Sequence, residues 1–463
     1  MLSSNHSNAG AAAAVNYIED VFSTYLYTGN GSTQTITNGI DLSTKGGLVW
    51  TKYRSGGNIS TASHSLIDTL RGANNTLASN LSSAEQNFSD LLTSFSSTGY
   101  VLGADASSGR VNRTNALYAS WTFRKQPKFF DVVTTTSQTF SHLLASVPGC
   151  VIWKRTDAAE DWNVVSRRAD GSYVQLNLNL TDGAFASYAN ATAAGLSSTS
   201  VTLPSFSTGG TYVAYLFAHD AGGFGLTGTD NVISCGSFTT DGSGNATVTL
   251  GYEPQWAMVK TVNSAGTWWM MDTMRGWTAN TGNNFQYLQA QSSSAEGAAG
   301  TTPVNATGFT VAGNNFNTSE TYIYIAIRRG PMKVPTTGTS VFQPVTYTGN
   351  GTSQSVTTGI TGDLTYIKYR TDAGASTFFT DRLRGSSKIL ESNSTVAEDT
   401  SAQHLTAFNQ LGFSVGNNGN VNASGGTFIS ETFKRAPSFF DVVCYTGTGV
   451  ARTVTHNLAA VPE

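Results

Sequence analysis

Charged residues are scarce in this chain of 463 residues, making up 12% of it, about half the share usual for a soluble domain. The net charge of −3 offers no broad attraction to nucleic acid or to an acidic membrane. No apolar run approaches the ~18 residues that a membrane-spanning helix needs. The N-terminus lacks the basic region and long apolar core of a secretory signal. The sequence therefore predicts neither nucleic-acid binding nor membrane insertion.

Cysteine is also rare. The three cysteines, Cys150, Cys235 and Cys444, are odd in number and widely spaced, so they are interpreted as buried free thiols of a protein made in a reducing cytosol. Glycine, by contrast, is abundant, with 48 residues among many Ser, Thr and Asn. With 39% hydrophobic and 11% aromatic residues, the chain has enough apolar material for a packed core.

What the sequence does contain is an internal repeat. The pentapeptide Tyr-Thr-Gly-Asn-Gly at residues 27–31 returns letter for letter at residues 347–351. An apolar strand that ends in lysine recurs about every hundred residues, at Lys52, Lys154, Lys260 and Lys368. Each copy then closes on an aromatic-rich strand. A repeat of this length indicates an array in which each copy is one structural module.

The repeats predict six segments. These are an N-terminal segment (1–26), four modules (27–128, 129–237, 238–343 and 344–438) and the start of a truncated fifth module (439–463). Module one resembles module four, and the truncated segment resembles the start of module two. A super-repeat of three modules is therefore expected, in a native chain that continues beyond Glu463.

The hydrophobic period within each module is two, which is typical of strands. At residues 322–327, tyrosines alternate with apolar residues, so both faces are apolar and the strand is expected to be central. Turn dipeptides such as Gly46-Gly47 and Gly425-Gly426 separate the strands. The predicted fold class is all-β, a tandem array of antiparallel β-sandwich or jelly-roll (lectin-like) modules that forms a rod.

The N-terminal segment belongs to no repeat. Asn8 is expected to cap a short helix that places Ala14, Ile18, Val21 and Phe22 on one apolar face. The alternatives are a frayed tail and a docking peptide that orders on a partner. As an anchor outside the modules, it is expected to be removable without unfolding them.

The most specific polar motif is Asp-x-x-Arg-Gly, which begins at Asp68, Asp272 and Asp381; module two keeps only Arg167-Arg168. Residues three apart on a strand point to opposite faces, so the pair can meet only across a turn. A structural ion pair is favoured over a catalytic pair, because a catalytic site seldom occurs three times in one chain. Basic pairs that end the closing strands, Arg124-Lys125, Arg328-Arg329 and Lys434-Arg435, are interpreted as solvated strand ends rather than phosphate contacts.

No constellation typical of catalysis or metal binding is found. The six histidines, His6, His64, His142, His219, His404 and His456, show no metal-ligand spacing. Gly222-Gly223-Phe224-Gly225 lacks the lysine of a phosphate loop and is interpreted as a tight turn. The acidic pair Glu160-Asp161 is isolated. The sequence thus predicts no enzyme, no catalytic residue and no cofactor. Sugar stacking by exposed aromatics among Trp268, Trp269 and Trp277 is an alternative to their packing in a core.

These repeats resemble a family of repeat-containing tail and structural virion proteins of marine tailed bacteriophages, especially cyanophages. The motifs at residues 27–31, 48–52, 381–385, 389–393 and 412–415 carry the resemblance. It covers residues 27–463 and is weakest in module two, which lacks the aspartate of the turn. The resemblance supplies no functional residues.

The resemblance implies a structural role in the virion tail, such as a tail fibre, without enzymatic activity. The N-terminus is expected to attach to other tail proteins of the adaptor, nozzle or baseplate type, and the later modules to face the host. A homo-oligomer, taken as a trimer, is expected. The alternatives are a carbohydrate-binding adhesin that recognises a host-surface glycan or receptor, and a head fibre or capsid decoration protein.

Overall fold

The structure is a computed structural model that describes residues 15–106, 108–280, 285–313, 315–372 and 374–463. The predicted all-β class is confirmed, because strands in antiparallel sheets account for nearly all of the regular structure. The jelly-roll topology stays a prediction. The described helices are one turn long: η1 (Ile18–Asp20), η2 (Thr273–Arg275), η3 (Gly338–Ser340) and α1 (Gly419–Asn422).

The four repeats contribute strands in the same order. Module one contains β1 (Phe22–Thr28), β2 (Gln34–Thr37), β3 (Gly47–Gly56), β4 (Ser65–Asp68), β5 (Asn75–Thr76), β6 (Gln86–Asn87), β7 (Leu92–Ser96), β8 (Gly99–Leu102) and β9 (Ala116–Arg124). Module two contains β10 (Phe130–Thr135), β11 (Thr139–Ser141), β12 (Cys150–Arg155), β13 (Asn163–Arg167), β14 (Tyr173–Asn177), β15 (Ala186–Tyr188), β16 (Ser200–Thr202) and β17 (Tyr212–Phe217).

The second half of the array follows the same order. Module three contains β18 (Ile233–Thr239), β19 (Ala246–Thr249), β20 (Pro254–Thr261), β21 (Trp269–Asp272), β22 (Phe285–Gln289), β23 (Gly297–Ala299), β24 (Val304–Asn305), β25 (Gly308–Val311) and β26 (Thr321–Arg328). Module four contains β27 (Phe342–Thr348), β28 (Gln354–Thr357), β29 (Leu364–Tyr369), β30 (Thr377–Asp381), β31 (Lys388–Glu391), β32 (Asp399–Thr400), β33 (Leu405–Asn409), β34 (Gly412–Val415) and β35 (Thr427–Phe433).

Each module has a large sheet and a small one. The large sheet of module three runs β18-β26-β20-β21-β22-β23, and modules two and four repeat this order. In module one the sheet β1-β9-β3-β4 has the same order, and β5 continues it through a bridge between Leu66 and Leu77. The closing strands β9, β17, β26 and β35 pair on both edges, as the apolar pattern of residues 322–327 predicts. Their backbone donors and acceptors are satisfied within the sheet.

The two faces of a large sheet pack against different partners. In module one, Val49 and Tyr118 pack under the small sheet against Tyr100. Trp50 and Trp121 point to the opposite face, since successive residues of a strand alternate. That opposite face enters a core that the modules share.

Modules one, two and three close on one another around this shared core. It contains Trp50 and Trp121 of module one, Tyr215 of module two, and Trp256 and Met258 of module three, and all five are at most 1% exposed. The expectation of modules strung as separate units along a rod is therefore wrong for the first three. A large sheet that is apolar on both faces cannot leave one of them in water without a large cost.

Two backbone hydrogen bonds recur at each junction within this three-module unit. Between modules one and two, Glu85 N–H donates to Thr156 O (2.8 Å) and Glu160 N–H to Ser82 O (2.9 Å). Equivalent bonds join modules two and three, from Ala184 to Val262 and from Gly266 to Thr181. Modules three and one are joined by bonds from Glu296 to Arg54 and from Ala62 to Ser293. The repetition of this pair shows approximate threefold symmetry.

The N-terminal segment does not end at residue 26 as predicted. Residues 22–26 form part of β1, which pairs with β9, and Ile18 and Val21 are buried in the shared core. Ile18 N–H also donates to Pro331 O (3.0 Å), so this stretch joins module one to the end of module three. The expected helical face is instead a 3-10 turn followed by a strand. Asn8 and Ala14 lie outside the described residues.

Two further boundaries differ from the prediction. β18 starts at Ile233 and pairs with β26, so residues 233–237 belong to module three rather than module two. β27 starts at Phe342, two residues before the predicted boundary of module four. Residues 440–445 form no strand, although the similar sequence at residues 130–135 forms β10. β10 has the closing strand β17 as its partner, whereas no strand among the described residues pairs with residues 440–445.

Candidate functional site: the aspartate–arginine clamps

The Asp-x-x-Arg-Gly motif builds the same polar structure three times. In module three, Asp272 accepts hydrogen bonds from the Arg275 backbone N–H (2.9 Å) and from Arg275 Nε (2.6 Å). Arg275 Nη2 donates to Met270 O (2.9 Å), which fastens the turn to β21. Gly276 follows at φ 102°, a conformation that favours glycine. The predicted ion pair across a turn is therefore present, and we call each copy a clamp.

Each clamp also contains a glutamate that the sequence reasoning missed. Arg71 Nη1 donates to Glu85 (2.7 Å), Arg275 Nη1 to Glu296 (3.2 Å) and Arg384 Nη1 to Glu398 (3.0 Å). The glutamate lies 14 residues after the arginine in modules one and four and 21 residues after it in module three. Because this spacing differs between modules, the glutamate is not recognisable as part of the repeated motif. The signal that could have revealed it is a glutamate after each motif in a chain poor in charge, although in module four Glu391 precedes Glu398.

Two clamps reach across a junction to a neighbouring module. Tyr215 Oη of module two donates to Asp68 of module one (2.9 Å), and Arg71 Nη2 donates to the same hydroxyl (3.1 Å). Trp121 Nε1 of module one donates to Asp272 of module three (3.0 Å). Asp68 and Asp272 are thus shared acceptors, each of which holds two modules together.

The third junction explains why module two lacks the motif. Ser166 pairs with Cys150 as Asp68 pairs with Leu48, so serine stands in the place of the clamp aspartate. The residue of module three that corresponds to Tyr215 and Trp121 is Ile325, which has no hydrogen-bond donor in its side chain. Carboxylate and donor are absent together. A lone buried carboxylate would be costly, whereas a matched apolar junction is not.

The lysines that end the apolar strands make a second set of junction contacts. Lys52 Nζ, fully buried, donates to Ser293 O (3.0 Å) and Ser294 O (2.7 Å) of module three and to Ala62 O (2.9 Å). Lys260 Nζ donates to Thr181 O of module two (2.8 Å). Burial lowers the pKa of Lys52 to about 7 and that of Lys260 to about 8. Lys154 instead donates within its own module, to Arg155 O (2.8 Å).

A network of charged residues joins modules three and four. Arg435 donates to both oxygens of Glu253 (2.9 and 2.8 Å), and Arg329 Nη2 donates to Asp363 (2.6 Å). Burial alone would raise the pKa of Asp363, but Arg329, Arg382 and Arg435 hold it below its usual value. Burial lowers the pKa of Arg382 to about 10. The interpretation of Arg328-Arg329 and Lys434-Arg435 as solvated strand ends is therefore wrong for Arg329 and Arg435.

The candidate sugar-stacking tryptophans serve as core residues. Trp268 and Trp277 are 2% and 1% exposed, and their indole N–H groups donate to Asn177 O (2.9 Å) and Thr302 O (2.6 Å). Trp269 is half-buried and meets Tyr287 edge-on, with ring centroids 4.5 Å apart. Trp268 and Trp277 therefore form no binding platform. The bond from Trp268 crosses from module three to module two.

The histidines are engaged in separate places. His64 is buried; its Nδ1 accepts from Trp50 Nε1 (2.8 Å), and its pKa lies well below the usual value because of burial and Lys52. His142 and His456 each accept from the backbone N–H two residues later (3.2 Å in both), which supports the predicted structural role. Among the described residues, no three or more His, Cys, Asp or Glu side chains group as a metal site would need. His6 lies outside them.

The other candidates also have structural surroundings. Gly222-Gly223-Phe224-Gly225 forms a turn that receives the N-terminal stretch, with Gly225 N–H donating to Asn16 O (3.0 Å). Glu160 accepts from Tyr212 Oη (2.9 Å), whereas Asp161 accepts from Asn179 Nδ2 (2.7 Å). The three cysteines are free; Cys150 and Cys235 are buried, and burial raises the pKa of Cys150 to about 12.

A family model described as a domain of unknown function, DUF7483, matches residues 18–331 and 337–463. The chain belongs to the DUF7483 family. The first DUF7483 match begins at η1 and ends beside Pro331, so it encloses the three modules that share a core. The second match begins just before η3 and takes in module four. Comparison of this DUF7483 chain with curated proteins gives no match. Across the described residues, no helix has the length and apolar character to cross a membrane.

Proposed function

We propose that this DUF7483 chain is a structural component of a bacteriophage tail, as a fibre or a tail-associated appendage. The observation that carries the proposal is the use made of its few charged residues. Each clamp aspartate accepts two or more hydrogen bonds from its own turn, and two of the three also accept from a neighbouring module. Buried charged residues that pair at the junctions between modules are consistent with a structural protein that keeps its shape under mechanical load. The resemblance of the repeats to tail proteins supports the same role.

In this proposal the N-terminus attaches to a tail protein of the adaptor, nozzle or baseplate type, and module four points towards the host. Residues 1–14 are the proposed anchor, since residues 18–22 serve the core of the three-module unit. The protein is made in the host cytoplasm and acts in the virion, as a homo-oligomer for which we propose a trimer. Analytical ultracentrifugation of the purified chain tests the proposed trimer. A chain that sediments as a monomer at every concentration measured contradicts it.

Gold-labelled antibody against the chain, imaged on intact particles, tests the tail assignment. We expect label on the tail, at a fixed distance from its end. Label confined to the capsid would contradict the proposal and favour a head fibre or decoration protein. Particles produced with a chain that lacks residues 1–14 as the sole source of this protein serve as the second arm. The proposed anchor predicts that this variant is absent from particles while the purified variant stays folded.

The alternative function is recognition of a host-surface glycan. A polar groove between modules one, three and four favours it; the residues lining it include Arg54, Gln286, Ser386, Thr406 and Asn409. Hydrogen-bonding side chains in a concave site are what a sugar requires. A glycan array probed with the whole chain tests this function, because modules one to three share a core and cannot be separated. Ser386→Trp, which fills the groove, should abolish any true signal.

A further inference from the structure

Module four leaves open the sheet face that modules one to three bury in their shared core. We define this open face by Leu364, Tyr366, Phe379, Leu390, Glu431 and Phe433. Leu390 is 41% exposed, whereas its counterparts Leu176 and Leu288 are 0% exposed. Phe379 is half-buried where Leu66 is 0% exposed. An aromatic and aliphatic face that stays partly exposed in module four, but is buried in the other three modules, indicates an interaction surface.

The edges of module four repeat the junction contacts as well. Arg370 corresponds to Arg54, which donates a hydrogen bond to Glu296 of module three (2.7 Å). The Arg370 side chain is exposed. Asp381 and Arg384 correspond to Asp68 and Arg71. In module one, Asp68 accepts a hydrogen bond from the Tyr215 hydroxyl and Arg71 donates one to it. Both halves of the clamp are formed, but the outside donor is missing among the described residues. Module four therefore has the polar side chains that form a junction in the other modules, as well as the apolar face.

The chain after module four already starts to cover this face. Phe440 packs on Phe433 with ring centroids 5.4 Å apart, as Phe130 packs on Phe123 at 5.4 Å. Ser438 N–H donates to Leu458 O (2.7 Å), as Lys128 N–H donates to Leu144 O (2.6 Å). Ser438 and Phe440 thus make the contacts that Lys128 and Phe130 make where module two begins beside module one, although residues 440–445 form no strand.

We infer that the open face binds a pair of β-modules of this same kind, placed as modules two and three are placed on module one. The first of the pair supplies a hydroxyl or N–H donor to Asp381, as Tyr215 does to Asp68. The second supplies a carboxylate to Arg370, as Glu296 does to Arg54. One position differs: Glu431 stands where Trp121 donates to Asp272. The partner therefore offers a donor rather than a carboxylate at the site that corresponds to Asp272.

The chain itself supplies the probe for this inference. Val461-Pro462 corresponds to Val147-Pro148, so residues 149–331 can be joined after Pro462 in register, as an appended copy of modules two and three. Asp272→Asn in the appended copy gives Glu431 an amide donor. Cysteines at position 370 and at position 296 of the appended copy should form a disulfide, since a backbone hydrogen bond joins residues 54 and 296 in the first unit.

The matched control places cysteines at positions 54 and 296 of the first unit. We expect both pairs to cross-link, and hydroxyl-radical labelling of Tyr366, Phe379 and Leu390 to fall several-fold on extension. We also expect Asp272→Asn to increase the cross-link in the appended copy and to destabilise the first unit, where Trp121 is the donor. A control that cross-links while the 370–296 pair does not would overturn the inference. Appended modules that stay unfolded beside a folded first unit would overturn it too, because the same residues fold on module one.

Discussion

At the residue scale, the chain buries several of its few charged residues at the junctions between modules, among them Lys52, Asp68 and Asp272. Asp272 and the Arg275 side chain are both fully buried, and each is paired. Breaking a buried pair by removing one partner is far more costly than the pair is worth, because the remaining charge is left without compensation. The clamps are therefore the points at which single substitutions should matter most.

Asp272→Ala should destabilise the three-module unit by about 3–5 kcal/mol, because Arg275 and Trp121 both lose their acceptor inside the core. The matched control is Asp381→Ala in module four, where Arg384 is 17% exposed and no other module among the described residues donates to Asp381. There we expect about 1–2 kcal/mol. Hydrogen exchange at increasing guanidinium measures both losses, on amides of β21 for Asp272→Ala and of β30 for Asp381→Ala, because module four contains no tryptophan that could report its unfolding. Equal losses would contradict the role of Asp272 as a shared acceptor.

His404 should make module four sensitive to acid. Burial lowers its pKa to about 4, and both ring nitrogens lack a hydrogen-bond partner among the described residues. The folded state therefore disfavours the proton, whereas the unfolded chain takes it up near pH 6.5. Stability from this residue is complete above that pH and is lost as the pH falls towards 4.

The measurement for His404 is the free energy of unfolding of module four between pH 4 and 7. His404→Leu should flatten the decline, because leucine fills the pocket without a titrating group. His456→Gln, outside any strand, is the control and should leave the slope unchanged. A His404→Leu variant with the wild-type slope would show that other groups cause the acid sensitivity.

At the element scale, the same strand sequence gives different structures according to its partner. Residues 130–135 form β10 on β17, whereas the related residues 440–445 form no strand. The period-two pattern predicted the strands and their central position, because burial on both faces leaves a readable signature. The same pattern could not show at which residue the first strand of each large sheet begins. β1 and β18 therefore each begin five residues before the predicted module boundaries.

The start of β1 can be tested by truncation. Removing residues 1–14 should leave the unfolding midpoint unchanged, because none of the described packing depends on them. Ile18→Asp should destabilise the three-module unit by about 2–5 kcal/mol, since it puts a carboxylate into the shared core. Circular dichroism melts of the two variants measure the difference. If Ile18→Asp melts like the wild type, residues 18–22 do not hold module one to module three.

At the scale of the whole molecule, the repeat predicted the number of modules and their three-module period. The packing of modules one to three around a shared core could not be predicted from the sequence. It depends on contacts between residues about 150 positions apart, such as Trp121 and Asp272. The residues at this junction position also differ chemically, being Tyr215, Trp121 and Ile325 in turn, so the repeat does not reveal which of them donate. The DUF7483 matches follow the closed unit and its successor rather than single modules.

The central claim is that residues 18–331 form one cooperative unit, and hydrogen exchange with increasing denaturant tests it most directly. Amides of β3, β12 and β20 lie in three different modules but face one core, so they should open with the same free energy and the same denaturant dependence. Amides of β29 in module four should open separately and at lower cost. If β3, β12 and β20 open at three distinct free energies, the modules are independent and the account of a closed three-module unit is wrong.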